Sequence, residues 1–246
     1  IIKASHQVEL YDEELKCEPF KKIGIKTLKP FKIEKNINNA VSQIAEINKK
    51  ILDNKLFPIT LGGEHSITSG CIRPFVKKYG KITLLHFDAH ADLRESYAGE
   101  KFSHASAIKR CIDYKNVSVI SFGIRNISSE EISILKKNKK RLNIYWAKDK
   151  KKWDLKKFKR QIKNKNVYIT FDVDGLDSSI MPATGTPEPG GIFWDEALEI
   201  IRIACKNSKI VGADVNELAP IKGFNSYNFL VAKLVYKILS YKFLLK

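Results

Sequence analysis

The sequence predicts an α/β protein built on a parallel β-sheet with helices on both faces. Three observations predict it: short apolar runs that stop at turn residues, helical patterns between those runs, and polar clusters at the ends of the runs. Strands that alternate with helices imply βαβ units, and strands buried on both faces read as continuous apolar runs. Residues 57–61 form the first such run, stopping at Gly62-Gly63, and residues 82–87 and 117–122 follow. A short strand is expected at 144–146, then strands at 167–171 and 209–213. Helices are expected at 36–54, 104–114, 129–138, 154–164 and 194–206, with an amphipathic helical tail at 225–242. Residues 66–78 also read as helical, although Gly70 and Pro74 oppose it. The lysine-rich stretch 136–165 is the most loop-like part and reads as surface.

At 246 residues the chain suits one domain, and a 43% hydrophobic share is ordinary for a globular protein. No apolar run reaches the roughly 18 residues needed to span a membrane, and the first residues carry no signal-peptide core. The four cysteines, Cys17, Cys71, Cys111 and Cys205, are scattered and read as reduced thiols of a cytoplasmic protein. A net charge of +17 raises nucleic-acid binding as one reading. Against it, 37 of the 44 basic residues are lysines spread along the chain, whereas base readout favours arginine. A solvated lysine surface, with no nucleic-acid partner, is the preferred reading.

In open α/β sheets, ligands bind outside the carboxyl ends of the strands. Polar residues gather there: Gly62-Gly63-Glu64-His65-Ser66, Asp88-Ala89-His90-Ala91-Asp92, Asp172-Val173-Asp174-Gly175-Leu176-Asp177 and Asp214-Val215-Asn216-Glu217. A spacing of two places Asp88, His90 and Asp92 on one face of an extended chain, and likewise Asp172 and Asp174. One Asp-x-Asp alone is often a turn or a helix cap. Several together are costly through like-charge repulsion and desolvation, which a divalent cation offsets. Carboxylates and imidazoles without thiolates suit a hard to borderline ion such as manganese. Shared carboxylates suggest two ions about 3.5 Å apart.

The segments 62–66, 86–92 and 170–177, followed by 182–191, resemble the signatures of the ureohydrolases: arginase, agmatinase and relatives. The resemblance runs from about Ile2 to the C-terminus. It implies a three-layer α/β/α sandwich around a parallel sheet of about eight strands. It implies two manganese ions, one held by His65, Asp88, Asp92 and Asp172, the other by Asp88, His90, Asp172 and Asp174. Glu217 falls where the family holds the guanidinium, and His104 near its proton-shuttle histidine, although Ser103-His104-Ala105-Ser106 departs from the commoner His-Gly form. Asp92 would carry a proton to the leaving amine. The family also implies a homo-oligomer, a trimer or hexamer, and usually places a strand and a loop before the part matching Ile2-Lys3-Ala4-Ser5. A single domain over 1–246 without that strand and loop is the expectation.

The implied reaction is manganese-dependent hydrolysis of a guanidino compound, with agmatine, giving putrescine and urea, as the first candidate. Arginase, guanidinobutyrase and formimidoylglutamase activities stay open, as does a metal-binding but inactive regulatory homologue. After Asp92 the segment Leu93-Arg94-Glu95-Ser96-Tyr97-Ala98-Gly99 looks closer to agmatinases. There, Glu95 or Glu100 would meet a distal ammonium, or Arg94 a carboxylate. Residues 182–191 read as a rigid loop shaping the pocket, with Thr184 as a substrate contact. Asp177 reads as a turn cap, and His6 and His86 as structural. Asp214 either orients Glu217 or a metal ligand, or caps a turn.

Overall fold

The apolar runs become strands because β-rich residues with no intervening polar group bury both of their faces. The computed structural model describes residues 1–245 and contains β1 (Ile59–Leu61), β2 (Ile82–Phe87), β3 (Val117–Phe122), β4 (Leu142–Tyr145), β5 (Asn166–Asp172) and β6 (Lys209–Asn216). All pairings are parallel, in the order β1-β6-β5-β2-β3-β4. Six strands stand among the described residues where about eight were expected. Each expected strand is present, and β4 starts two residues earlier than its apolar core, at Leu142.

Ten helices surround the sheet among the described residues: α1 (Ile2–Ser5), α2 (Pro19–Ile23), α3 (Ile37–Asp53), α4 (Thr68–Cys71), α5 (Arg73–Tyr79), α6 (Ala107–Ile112), α7 (Ser129–Lys137), α8 (Leu155–Ile162), α9 (Trp194–Asn207) and α10 (Ser226–Leu244). The strand period of two sorts the core into two layers. Leu85, Phe87, Ile169 and Phe171 pack with Phe158 of α8, Ile201 of α9 and Ile238 of α10. Ile82, Leu84 and Tyr168 face the other way, against Ile44 of α3, Phe75 of α5 and Ile108 of α6. The result is an α/β/α sandwich. Phe87 and Phe171, directly paired in register, stack at 4.6 Å. Such aromatic pairs contribute about 0.5–1.5 kcal/mol beyond the area they bury.

The expected helix at 66–78 is instead three pieces. His65–Ile67 is a 3-10 turn, α4 follows, and Pro74 starts α5, because proline has no N–H to continue a helix but suits a first turn. The stretch 136–165 is more ordered than its composition suggests, holding the end of α7, β4, a 3-10 turn at Ala147–Lys152 and α8. The tail is buried over more than one face, and Tyr236 through Tyr241 are all covered. The N-terminal segment supplies that cover. Tyr236 donates to Leu10 O at 2.6 Å, and the Lys237 ammonium sits 2.9 Å from Asp12 and 3.1 Å from Glu14. No described helix is long and apolar enough to cross a membrane. All four cysteines are free, with Cys71 and Cys111 buried.

The strand order places the functional segments. After β2 the chain moves outward to β3 and β4, then returns to β5 on the other side of β2. The crevice above the β2–β5 boundary is therefore the point where the winding reverses, the usual ligand position in such sheets. Because Phe87 pairs with Phe171, Asp88 and Asp172 leave the sheet side by side.

Candidate metal centre

His65, Asp88, Asp92, Asp172 and Asp174 are all buried, and His90 is partly buried. His65 stands in a 3-10 turn just past β1, and its Nδ1 lies 3.0 Å from Asp88 Oδ2, 3.0 Å from Asp92 Oδ2 and 3.4 Å from Asp172 Oδ2. Despite these distances Nδ1 is a buried atom with no aligned hydrogen-bond partner among the described residues. The contact is electrostatic rather than directed: one nitrogen and three carboxylate oxygens face a common point. His90 Nδ1 lies 3.0 Å from Asp174 Oδ2 and 3.6 Å from Asp88 Oδ1. The structure thus brings all six expected side chains together in two groups that share Asp88, and Asp174 N donates to Asp172 Oδ1 at 2.9 Å between them.

Local hydrogen bonds explain the geometry. Asp88 Oδ1 accepts from His90 N at 2.6 Å, and Asp174 Oδ1 accepts from Ala89 N at 3.0 Å. Asp92 is held with φ +53°, a left-handed conformation costly for a side chain with a Cβ, and the flanking turn over-determines it. Leu93 N donates to Glu131 Oε1 at 2.8 Å, while Glu131 Oε2 closes a capping box with Ser128 at the start of α7. Lys109 N donates to Asp92 O at 2.9 Å. Glu217 also has a left-handed backbone, at φ +65°, and its Oε1 accepts from His65 N at 2.5 Å.

The His65 tautomer follows from its other nitrogen. Nε2 lies 2.9 Å from Thr170 Oγ1, which donates onward to the fully buried Asp214 Oδ1 at 2.7 Å. A hydroxyl has one proton, so Thr170 accepts from Nε2–H, which leaves Nδ1 as the nitrogen turned to the carboxylates. Asp214 thus reaches His65 through Thr170, with Thr68 Oγ1 and Asn216 Nδ2 donating to the same oxygen at 3.0 and 2.6 Å.

Electrostatics agree with a cradle built for positive charge. Burial pushes Asp92 up to about 7, reinforced by the Asp88 charge. Burial and the neighbouring charges of Asp174 and Asp88 push Asp172 well above the usual carboxylate range. Burial opposes a charge on His65, but Asp88 and Asp92 outweigh it and draw its ring well upward. Burial likewise opposes a charge on His90, but its hydrogen bonds to Asp174 and Asp88 outweigh it and bring it up to about 11. Asp88 goes the opposite way: burial raises it, yet His86, His65 and His90 hold it well below its ordinary value. The donor set, four carboxylates and two imidazoles without a thiolate, fits divalent ions of the manganese kind.

Several neighbours were not singled out as functional by the sequence. His86, expected as structural, is buried with Nε2 2.8 Å from Asp88 Oδ2, and its ligand atoms and those of His65 and Asp88 lie within 4.8 Å of one another. Both His86 and Thr170 precede an aspartate by two residues on the same strand face, a signal present in the period. Arg125 donates to Asp174 O at 2.7 Å, Leu176 O at 3.1 Å and Glu188 O at 2.7 Å, fastening the β5 loop to the 182–191 loop. Nothing in the sequence pattern marks it. Asp177 is the expected turn cap, accepting from Ser179 N and Gly191 N at 3.0 and 2.8 Å. Thr184 Oγ1 is buried without a hydrogen-bond partner among the described residues, and His104 is exposed, with Nδ1 2.8 Å from Glu64 Oε1. Arg94 pairs with Glu130 at 2.8 Å, Glu95 with Lys109 and Arg110 at 3.0 Å each, and Glu100 accepts from Phe102 N at 2.9 Å. Both charges of Arg94 and Glu95 are therefore already matched. His6 is exposed.

With this geometry established, comparison places the chain among known proteins. The sequence profile described as the arginase family matches residues 1–240. The chain belongs to the arginase family. This arginase-family chain is 32% identical to an N(1)-aminopropylagmatine ureohydrolase of Synechocystis, over 98% of its own length and 80% of that protein. It is 39% identical to an agmatinase of Bacillus anthracis, over 76% of its own length and 63% of that protein, so it spans less than two thirds of that relative. The solved agmatine ureohydrolase of Thermoplasma volcanium superposes with a TM-score of 0.86 at 28% identity, covering 98% of this chain and 80% of that one.

Proposed function

We propose that this chain hydrolyses a guanidino compound to urea and an amine, with agmatine as substrate and putrescine as product, using two manganese ions. The observation that carries the reading is the buried His65 Nδ1, unpartnered yet faced by three carboxylate oxygens within 3.4 Å. His65, Asp88, Asp92 and Asp172 would hold one ion, and Asp88, His90, Asp172 and Asp174 the other. When bound, the ions supply a hydroxide near neutral pH by lowering the pKa of water.

The protein's own groups do the rest. Glu217, half-buried and fixed by the His65 N–H, accepts hydrogen bonds from a planar guanidinium and sets its carbon over the cradle. Asp92 carries a proton on its carboxylate to the leaving nitrogen. His104, exposed at the mouth, exchanges protons with water. Thr184 Oγ1, buried and free of partners among the described residues, is a polar contact for the substrate.

Agmatine is favoured over a substrate with a carboxylate tail because the carboxylates around the cradle include Glu188 and Glu217, while two cations nearby, Arg94 and Arg125, are taken up by Glu130 and by backbone carbonyls. The relatives described as agmatinases support the same choice. The test is urea release from agmatine, arginine, guanidinobutyrate and formiminoglutamate, with and without manganese. Manganese-dependent turnover of agmatine above the others is expected. Preference for guanidinobutyrate or arginine overturns the substrate, and no urea from any of them, in protein shown to take up divalent ions, overturns the activity.

A further inference from the structure

Glu64 and His65, which follow the glycine pair after β1, act on three partners at once. Glu64 Oε1 lies 2.8 Å from His104 Nδ1, the His65 ring enters the cradle, and the His65 N–H holds Glu217. Glu64 itself is fixed, because its Oε2 accepts from Ser66 Oγ at 2.6 Å. The imidazole of His104 is braced on its other side by the Tyr97 ring, with centroids 5.3 Å apart.

The energetics decide what this contact is for. The Glu64 and His104 side chains are 47% and 49% exposed, so their pairing adds little to stability. Its geometric effect is larger. An ionised carboxylate only accepts, so the nitrogen facing it carries the hydrogen. In a neutral imidazole the other nitrogen then holds the lone pair.

We propose that Glu64 is a positioning residue: it accepts Nδ1–H of His104 and so selects the tautomer whose Nε2 is free to exchange protons at the mouth of the cleft. This rests on the guanidino-hydrolase reading. Nε2 takes a proton from solvent water, leaving hydroxide to the bulk, and releases it toward the departing amine, while Nδ1–H stays on Glu64 throughout. The ring returns to its starting tautomer after each transfer, so no rotation is needed between turnovers. Ser66 and Tyr97 restrict the two members of the pair.

Nitrogen-edited NMR of the histidine rings in the metal-free protein gives a readout independent of turnover. His104 is expected as the Nδ1–H tautomer in the native chain and as the solvent-preferred Nε2–H form in Glu64→Ala. In the manganese-loaded protein, Glu64→Ala should lower kcat on the order of ten-fold, inside the roughly 10²–10⁴ that positioned acid–base groups supply. KM and divalent-ion uptake should not change. Glu64→Gln, which keeps an acceptor, should retain part of the rate. In a His104→Asn background Glu64→Ala should cost nothing further. A native His104 with hydrogen on Nε2, an equal loss in the His104→Asn background, or a loss of ion affinity in place of kcat overturns the proposal. If the native chain releases no urea from any guanidine, the functional reading fails, and the NMR result still decides the role of Glu64.

Discussion

Gly175→Ala probes how tightly the two ligand-bearing strand ends are packed. A Cβ at residue 175 would sit 2.7 Å from Asp88 N and 3.0 Å from both Asp88 Cα and Phe87 C. Ordinary contact begins near 3.4 Å, so the β5 loop and the end of β2 must separate by about 0.7 Å. Both sides are backbone, so no rotamer relieves the clash. Overpacking of this kind costs about 1–3 kcal/mol. At this chain length each kcal/mol lowers the melting temperature by roughly 2–4 °C, so a drop of roughly 2–12 °C is expected. The larger effect falls on ion binding. Ligand distances in a metal site tolerate only about ±0.2 Å, and the shift displaces Asp88 relative to Asp174 by several times that. Thermal melts and calorimetric titration with manganese measure the two effects separately. Gly185→Ala is the control, since its Cβ would meet nothing within 4 Å. If Gly175→Ala melts and binds manganese like the native chain, the close-packing account of the cradle is wrong.

Two further outcomes are expected. Divalent ions that bind only the folded chain should stabilise it by about 2.7 kcal/mol at a hundred times Kd. The accompanying rise in melting temperature, roughly 5–10 °C at this size, should vanish with chelator and in His65→Ala. A melt indifferent to manganese in the native protein would count against the cradle. Glu14 contributes to acid stability: burial raises its pKa, but bonds to Tyr241, Arg202 and Lys237 outweigh that and bring it from 4.5 down to about 2. A depressed folded-state value stabilises above the unfolded value and is lost as pH falls through the folded one. With its side chain 30% exposed, the contribution is on the order of 1–2 kcal/mol after screening. The stability gap between native and Glu14→Gln, measured by urea melts, should be full at pH 6 and close between pH 4.5 and about 2. A gap independent of pH would refute the ion-pair account.

The strands and the ligand spacings were legible because both depend on nearest-neighbour chemistry. The run at 82–87 and the Asp-x-His-x-Asp that follows it identify a buried strand with ligands at its end, without reference to any distant residue. The break at Pro74 was visible as opposition to a helix, but where the chain would restart was not. The tail shows the opposite limit. Residues 225–242 read as amphipathic, yet Lys237 is buried because Asp12, Glu13 and Glu14, more than two hundred residues earlier, surround its ammonium. Arg125 gave no signal because its partners are backbone carbonyls on other loops, and a carbonyl has no residue identity.

By itself the sequence determined which side chains have cation-holding chemistry and that they stand at strand ends, since residue type and a period of two are local properties. Only the tertiary structure decided that His65 Nδ1 meets Asp88, Asp92 and Asp172, which His65 nitrogen faces them, and that Glu64 rather than solvent holds His104. Those facts depend on the strand order β1-β6-β5-β2, which carries β1 and β2 to either side of two later strands. Distances across that crossover are set by packing, not by spacing along the chain.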